Sequence, residues 1–150
     1  MAKIFVGYSG VGKTTYCHSK NLSIDLESSH FFKSDGWELG YVSLAIHLQR
    51  AGYNVFVSAH DVVRKALRDL NVDYIIIAPS IELKAMWISR LQARYKLSQD
   101  KKDLRALDFT EKNFESSVLG LMEDARSIIW LTPDVPYLNA HPEFKKGGEL

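Results

Sequence analysis

The residues whose types and spacing most clearly do chemistry are Gly7-Tyr8-Ser9-Gly10-Val11-Gly12-Lys13-Thr14, which satisfy the pattern G-x-x-x-x-G-K-[ST] in full. Glycines at those positions let the backbone aim successive N–H groups inward as a nest for phosphate oxygens. A helix starting at the end of the loop adds its partial positive charge. The pattern predicts that Ser9, Gly10, Val11, Gly12, Lys13, Thr14 and Thr15 enclose the triphosphate of a nucleotide, ATP with Mg²⁺. Lys13 reaches the β- and γ-phosphates, the Thr14 hydroxyl is the expected Mg²⁺ ligand, and Thr15 faces the α-phosphate.

Such a loop works only between a strand and a helix, and the flanking sequence supplies both. Lys3 to Tyr8 reads as a short apolar strand, and Gly12 to about Lys20 as a helix. Leu22 to Leu26 is a second short strand. Apolar residues at Trp37, Tyr41, Leu44, Ala45 and Leu48 predict an amphipathic helix closed by Gly52. Asn54 to Val57 is a third strand and Asp61 to about Leu70 a helix. The run Tyr74 to Ala78 is apolar throughout, as in a strand buried on both faces. Pro79 and Ser80 open a long helix to about Arg94, followed by a polar, weakly periodic stretch from Tyr95 to Leu107. Asp108 and Glu111 form a capping box for the next helix, in which Phe114, Val118, Leu121, Met122 and Ala125 share a face. Ser127 to Thr132 is the last strand, and Pro133, Pro136 and Pro142 mark an irregular tail. Strands separated by helices require crossovers and a parallel sheet. The expected fold is therefore α/β and three-layered, with five parallel strands between helices. The chain of 150 residues makes one domain.

The loop GYSGVGKTT resembles that of guanylate kinases and related nucleoside monophosphate kinases. Ile75 to Arg94, IIIAPSIELKAMWISRLQAR, is similar to their apolar strand, Pro-Ser, acidic helix start and spaced arginines that open a lid. SAHDVVR, Ser58 to Arg64, resembles small P-loop kinases of the gluconate and adenylylsulfate type, which carry an arginine shortly after the third strand. The IDLESSHFF run and the chain's size also resemble small nucleotide-kinase-like proteins of bacteriophages. These resemblances imply an ATP-dependent phosphotransferase with an acceptor site after the second strand and a small lid at about residues 95–107.

Within that frame particular side chains acquire roles. Phosphoryl transfer needs alignment and neutralisation of spreading charge more than covalent help. Arg90 and Arg94, four apart on one helix face, and Arg105 beyond Lys101 and Lys102, are lid cations for the transferring group, or else solvated surface charges. Asp25 and Glu27 follow the second strand. A carboxylate there orients the acceptor or holds a Mg²⁺-bound water; the alternative is a turn cap with Ser28 and Ser29. Phe31 or Phe32 is a base platform, whereas Trp37 and Tyr41 fall on the apolar stripe and read better as core. Arg64 is expected to grip an acceptor phosphate, with Arg68 on the same face. His60 and Asp61 follow VFVSA, but no acid ends that run, so Mg²⁺ support falls to Thr14, water and phosphate, or to Asp25. Cys17 packs and has no chemistry.

Composition narrows the partners. Lys and Arg, 19, exceed Asp and Glu, 18, by one, so no global charge argues for nucleic acid or membrane. No apolar run approaches the roughly 20 residues that cross a bilayer. The single cysteine fits a reducing cytoplasm. The expected reaction moves the γ-phosphoryl of ATP to a nucleoside or deoxynucleoside monophosphate. A small-metabolite or polynucleotide 5′-hydroxyl kinase and an ATP-binding switch protein are the alternatives.

Overall fold

A computed structural model describes residues 2–124 and 127–147. Five strands form one sheet: β1 (Ile4–Gly7), β2 (Ser23–Asp25), β3 (Asn54–Ser58), β4 (Ile75–Pro79) and β5 (Ile128–Leu131). Their order is β2-β3-β1-β4-β5 and every pairing is parallel. The helices are α1 (Lys13–His18), α2 (Trp37–Arg50), α3 (Asp61–Asp69), α4 (Lys84–Ser98), α5 (Lys101–Asp124) and α6 (Pro142–Gly147). Short 3₁₀ turns occur at Ser28–His30, Ile81–Leu83 and Leu138–Ala140. The expected three-layer α/β fold, with five parallel strands flanked by helices, is the one observed.

The central strands follow directly from their composition. Ile4, Val6, Val55, Val57, Ile76 and Ile77 are fully buried, as befits strands covered on both faces. Helices α2 and α3 pack on each other, and α4 and α5 form an antiparallel pair whose second member also packs on β4. The chain leaves β1 for β2 on one side and places β4 on the other. The C-terminal end of β1 thus opens a crevice where open α/β sheets bind ligands.

Several local expectations need correction. Pro79 closes β4 rather than opening a helix, and α4 begins at Lys84 after the 3₁₀ turn. The charged stretch from Tyr95 is not an irregular lid: α4 runs through it to Ser98, and α5 starts again at Lys101. Asp108 lies inside α5 and caps nothing. Asp100 does that work, its Oδ1 accepting the Lys102 amide at 2.9 Å and its carbonyl the amides of Asp103 and Leu104. The weak periodicity of this stretch hid a turn of two residues between helices. The tail, too, contains α6, which begins at Pro142 where proline's fixed φ suits a first helical position. Ala125 lies outside the described residues.

Helix α5 bends at Asn113, whose φ of −132° and ψ of 17° are not helical. The Asn113 side chain donates to the carbonyl of Phe109 at 3.2 Å, serving a group near the bend. Tyr8 is anchored just beyond it, with its hydroxyl 2.8 Å from Ser117 Oγ and its ring edge-on to Phe114 and Trp87. One turn of the glycine-rich loop is thereby fixed to α4 and α5.

Candidate functional site

The loop after β1 is held from its outer side. Trp87 Nε1 donates to the Ser9 carbonyl at 2.7 Å, Arg90 Nη1 to the Gly10 carbonyl at 3.0 Å, and the Leu138 amide to the Val11 carbonyl at 3.4 Å. In a planar trans peptide the following N–H points opposite to the carbonyl. Drawing the Ser9 and Val11 carbonyls outward therefore turns the Gly10 and Gly12 amides to the other side. Both glycines carry the positive φ this path requires, +93° at Gly10 and +97° at Gly12. A Cβ on Gly10 would also stand 3.0 Å from Trp87 Nε1, so the residue has no room to change.

At the inner side three groups converge. Lys13 Nζ donates to the Gly7 carbonyl at 3.0 Å. The Thr14 hydroxyl, at the second residue of α1, donates to Asp25 Oδ2 at the end of β2 at 2.5 Å. Asp25 Oδ1 is buried without a hydrogen-bond partner among the described residues, as is Ser58 Oγ at the end of β3. Burial lowers the pKa of Lys13, while the carboxylates of Asp25 and Glu27 work to keep it charged. The ends of β1, β2 and β3 thus bring together an ammonium, a hydroxyl and an unsatisfied carboxylate oxygen beside a loop of inward amides. The ammonium and the amides can hold an anion, and the hydroxyl and carboxylate a cation beside it.

Glu27 caps the 3₁₀ turn, its Oε1 accepting the Ser29 amide at 3.5 Å, and its Oε2 stands 3.6 Å from Lys102 Nζ on α5. Burial pushes its carboxyl up, but Lys102 and Lys13 outweigh this and hold it below the usual range. Glu27 is therefore both a turn cap and part of the charge around Lys13. Arg105 is exposed and lies within electrostatic reach of Lys33, as Glu27 does. Lys33 sits over the Trp37 ring at 4.4 Å and donates to the carbonyls of Ser28 and Phe31.

Two arginines occupy positions other than those expected. Arg90 does not face the inner side of the loop. Its guanidinium lies between the rings of Trp87 and Tyr137, 4.1 and 4.0 Å from their centroids, and donates to the carbonyls of Gly10 and Pro136. It braces the loop from behind, which corrects its reading as a catalytic residue. Arg94 is the α4 arginine that reaches the loop's side chains, donating to Ser9 Oγ at 3.3 Å.

Arg64 is likewise not a free phosphate clamp. It is buried on α3, and its Nε and Nη1 donate to the carbonyls of Ala59 and Gly120, each at 3.3 Å. The guanidinium ties the end of β3 to α5. Arg64→Ala should therefore cost about 1.5–3 kcal/mol of stability, the range for hydrogen bonds to charged groups, in a denaturant titration. It should leave ATP turnover per folded molecule nearly unchanged; a raised acceptor KM at unaltered stability would restore the clamp.

Among the aromatics, Tyr41 is fully buried, and its hydroxyl donates to the Leu26 carbonyl and accepts the Ser58 amide. Phe31 packs edge-on against it at 5.0 Å, whereas Phe32 is 87% exposed and belongs to no wall of the cleft. Trp37, half-buried, meets the His60 ring at 5.7 Å. Burial lowers the pKa of His60, favouring neutral imidazole, and its Nε2 is 3.4 Å from Ser28 Oγ. Asp61 accepts the Val62 amide at the start of α3. Cys17 is buried, its thiol pKa pushed up to about 12 by desolvation and by Asp25.

Sequence reasoning missed Trp87, Asp103 and Tyr137. The i, i+3 step from Trp87 to Arg90 was a usable signal, since both then share a helix face. Nothing local marked Tyr137, whose partner Arg90 is distant in the chain, and Asp103 stands near its partners Arg94 and Ser98 but inside a charged stretch of weak periodicity.

No protein-family model and no curated sequence matches the chain. Among solved structures it is similar to the tunicamycin resistance protein of Deinococcus radiodurans. The TM-score is 0.54 at 14% identity, covering 99% of this chain and 92% of that one. The two share a fold. An uncharacterized protein from Eubacterium ventriosum overlaps at a TM-score of 0.45 and 12% identity, over 87% of this chain and 89% of that one. Among the described residues, no helix is long and apolar enough to cross a membrane.

Proposed function

We propose that this chain is an ATP-dependent phosphotransferase that moves the γ-phosphoryl group of ATP to a nucleoside monophosphate. The observation that carries the reading is the convergence of Lys13, Thr14 and Asp25 at the glycine-rich loop, with Thr14 Oγ1 2.5 Å from Asp25 Oδ2. The bond between the γ-phosphorus and its bridging oxygen breaks, ADP leaves, and a new bond forms to an acceptor oxygen. Inward amides and Lys13 neutralise the β- and γ-oxygens as charge spreads, and Arg94 adds a second cation from α4.

The residues present fit a divalent cation. Asp25 Oδ1 is buried and unpartnered, and Thr14 gives its proton to Asp25, which leaves its lone pairs available. Among the described residues no group of three or more His, Cys, Asp or Glu forms an all-protein cage. The Thr14 hydroxyl and the Asp25 carboxylate are the donor types that suit Mg²⁺, which is usually held by one or two carboxylates together with substrate phosphates. Thr14 and Asp25 would hold it, and it would supply charge neutralisation at the phosphates.

With Arg64 occupied elsewhere, the acceptor phosphate falls to Lys102 and Arg105 on α5 and to Lys33 opposite them, with Phe31 and Trp37 as the aromatic side. A monophosphate oxygen is already anionic and needs no base. One observation favours a second reading, transfer to a hydroxyl: the unsatisfied Asp25 Oδ1 is also placed to accept a hydroxyl proton. ATP consumption screened over nucleoside monophosphates, sugars and 5′-hydroxyl oligonucleotides separates them. Turnover with a monophosphate is the expected result. Brisk turnover with a hydroxyl compound and none with monophosphates would replace this reading by the second.

A further inference from the structure

We infer that Asp103 is a positioning residue that aims Arg94 at the phosphate site; this rests on the phosphotransferase reading and deepens it. The Asp103 side chain is only 6% exposed, whereas that of Arg94 is 42% exposed. A long, exposed arginine on the last turns of a helix samples many rotamers, and ordering it costs entropy. Asp103 removes that freedom. Its Oδ1 accepts Arg94 Nε at 3.0 Å, so the guanidinium is gripped from its rear edge. The forward edge then reaches the loop, where Nη2 donates to Ser9 Oγ. The guanidinium is also close enough to Lys13 to bear on its charge.

The carboxylate is itself fixed. Oδ2 accepts the Ser98 hydroxyl at 2.5 Å, and Ser98 Oγ accepts the Asp100 amide at 3.1 Å. The Asp103 amide is bonded to the Asp100 carbonyl at the start of α5. Both carboxylate oxygens are therefore spent on α4 and its turn. The short turn between α4 and α5, entered through Gln99 at a φ of 53°, sets where the carboxylate stands and so where Arg94 points. A charge pre-aimed in this way helps most when the transferring group becomes metaphosphate-like, because it needs no reorganisation at that moment.

The test is a double-mutant cycle in the full chain, read as kcat and KM for ATP with the acceptor that the screen identifies. Asp103→Asn keeps the volume but loses the grip; kcat should fall by about 10–100-fold, the scale of a misplaced catalytic group. KM for ATP should move by no more than about twofold. Arg94→Ala should give the same kcat, and the double variant no further loss. Arg94→Lys keeps the charge but has no Nε–H, so it should be as slow as Arg94→Ala. It leaves the buried carboxylate intact should Asp103→Asn not fold. Ser98→Ala frees one carboxylate oxygen but leaves the Arg94 contact, so kcat should fall by less than in Asp103→Asn, with KM for ATP again within about twofold. Additive losses, or wild-type rates in folded Asp103→Asn or in Arg94→Lys, overturn the assignment while the phosphotransferase reading stands. A wild type no faster than Lys13→Ala overturns both.

Discussion

Lys13→Ala is expected to lower turnover by about 10²–10³-fold, since losing one preorganised donor to a transition state costs about 3 kcal/mol or more. The side chain lies against the loop it serves: its Nζ donates to the Gly7 carbonyl, and its Cδ is 2.8 Å from where a Cβ on Gly7 would stand. No other cation among the described residues occupies that groove. Arg90 is committed to the loop's outer carbonyls, and Arg94 approaches from Ser9. The loss should therefore appear in kcat without any compensating residue. Circular dichroism should be unchanged, because Lys13 is desolvated in the folded state and its charge contributes little to folding. Near-normal turnover in the folded variant would remove Lys13 from the mechanism.

The second large effect belongs to Asp25. Asp25→Asn preserves an acceptor for the Thr14 hydroxyl but removes the charge at the buried, unpartnered Oδ1. Losing a charged partner is worth about 1.5–3 kcal/mol, which is about a 10–100-fold rise in the Mg²⁺ concentration for half-maximal activity. Saturating Mg²⁺ should restore most of the rate with a monophosphate acceptor. An unchanged Mg²⁺ midpoint would deny the carboxylate any part in holding the cation. A rate that no Mg²⁺ concentration restores would instead assign Asp25 to proton removal from a hydroxyl.

The sequence made the centre of this site legible because its signals are local. A loop that must place glycines, a lysine and a hydroxyl at fixed offsets leaves a readable pattern, and Asp25 follows the next strand at a short remove. The sheet was equally legible, since Ile75–Pro79 and Asn54–Ser58 are apolar or β-branched as strands buried on both faces must be. What failed was orientation at a distance. Arg64 and Arg90 look alike as exposed, functional arginines until the fold brings carbonyls of Gly120 and Pro136 against them. Their guanidiniums stay inside because each has carbonyl partners there, an arrangement no spacing rule encodes. The segment around Ser98 misled for a different reason. Charged residues on an arm that is mostly exposed give little hydrophobic periodicity, so the end of α4 and the start of α5 read as one polar linker. Asp103 disappeared into that reading, although it is among the few buried charged residues described.

Transfer of a phosphoryl group from ATP to an acceptor is read by following the γ-phosphate. ATP labelled at that position should be incubated with the full chain, Mg²⁺ and a nucleoside monophosphate, with Lys13→Ala alongside, and the products separated. Label is expected in the nucleoside diphosphate, dependent on Mg²⁺ and reduced about 10²–10³-fold in the variant. Label that remains in ATP, or that appears only as inorganic phosphate with every acceptor tried, would contradict transfer to an acceptor.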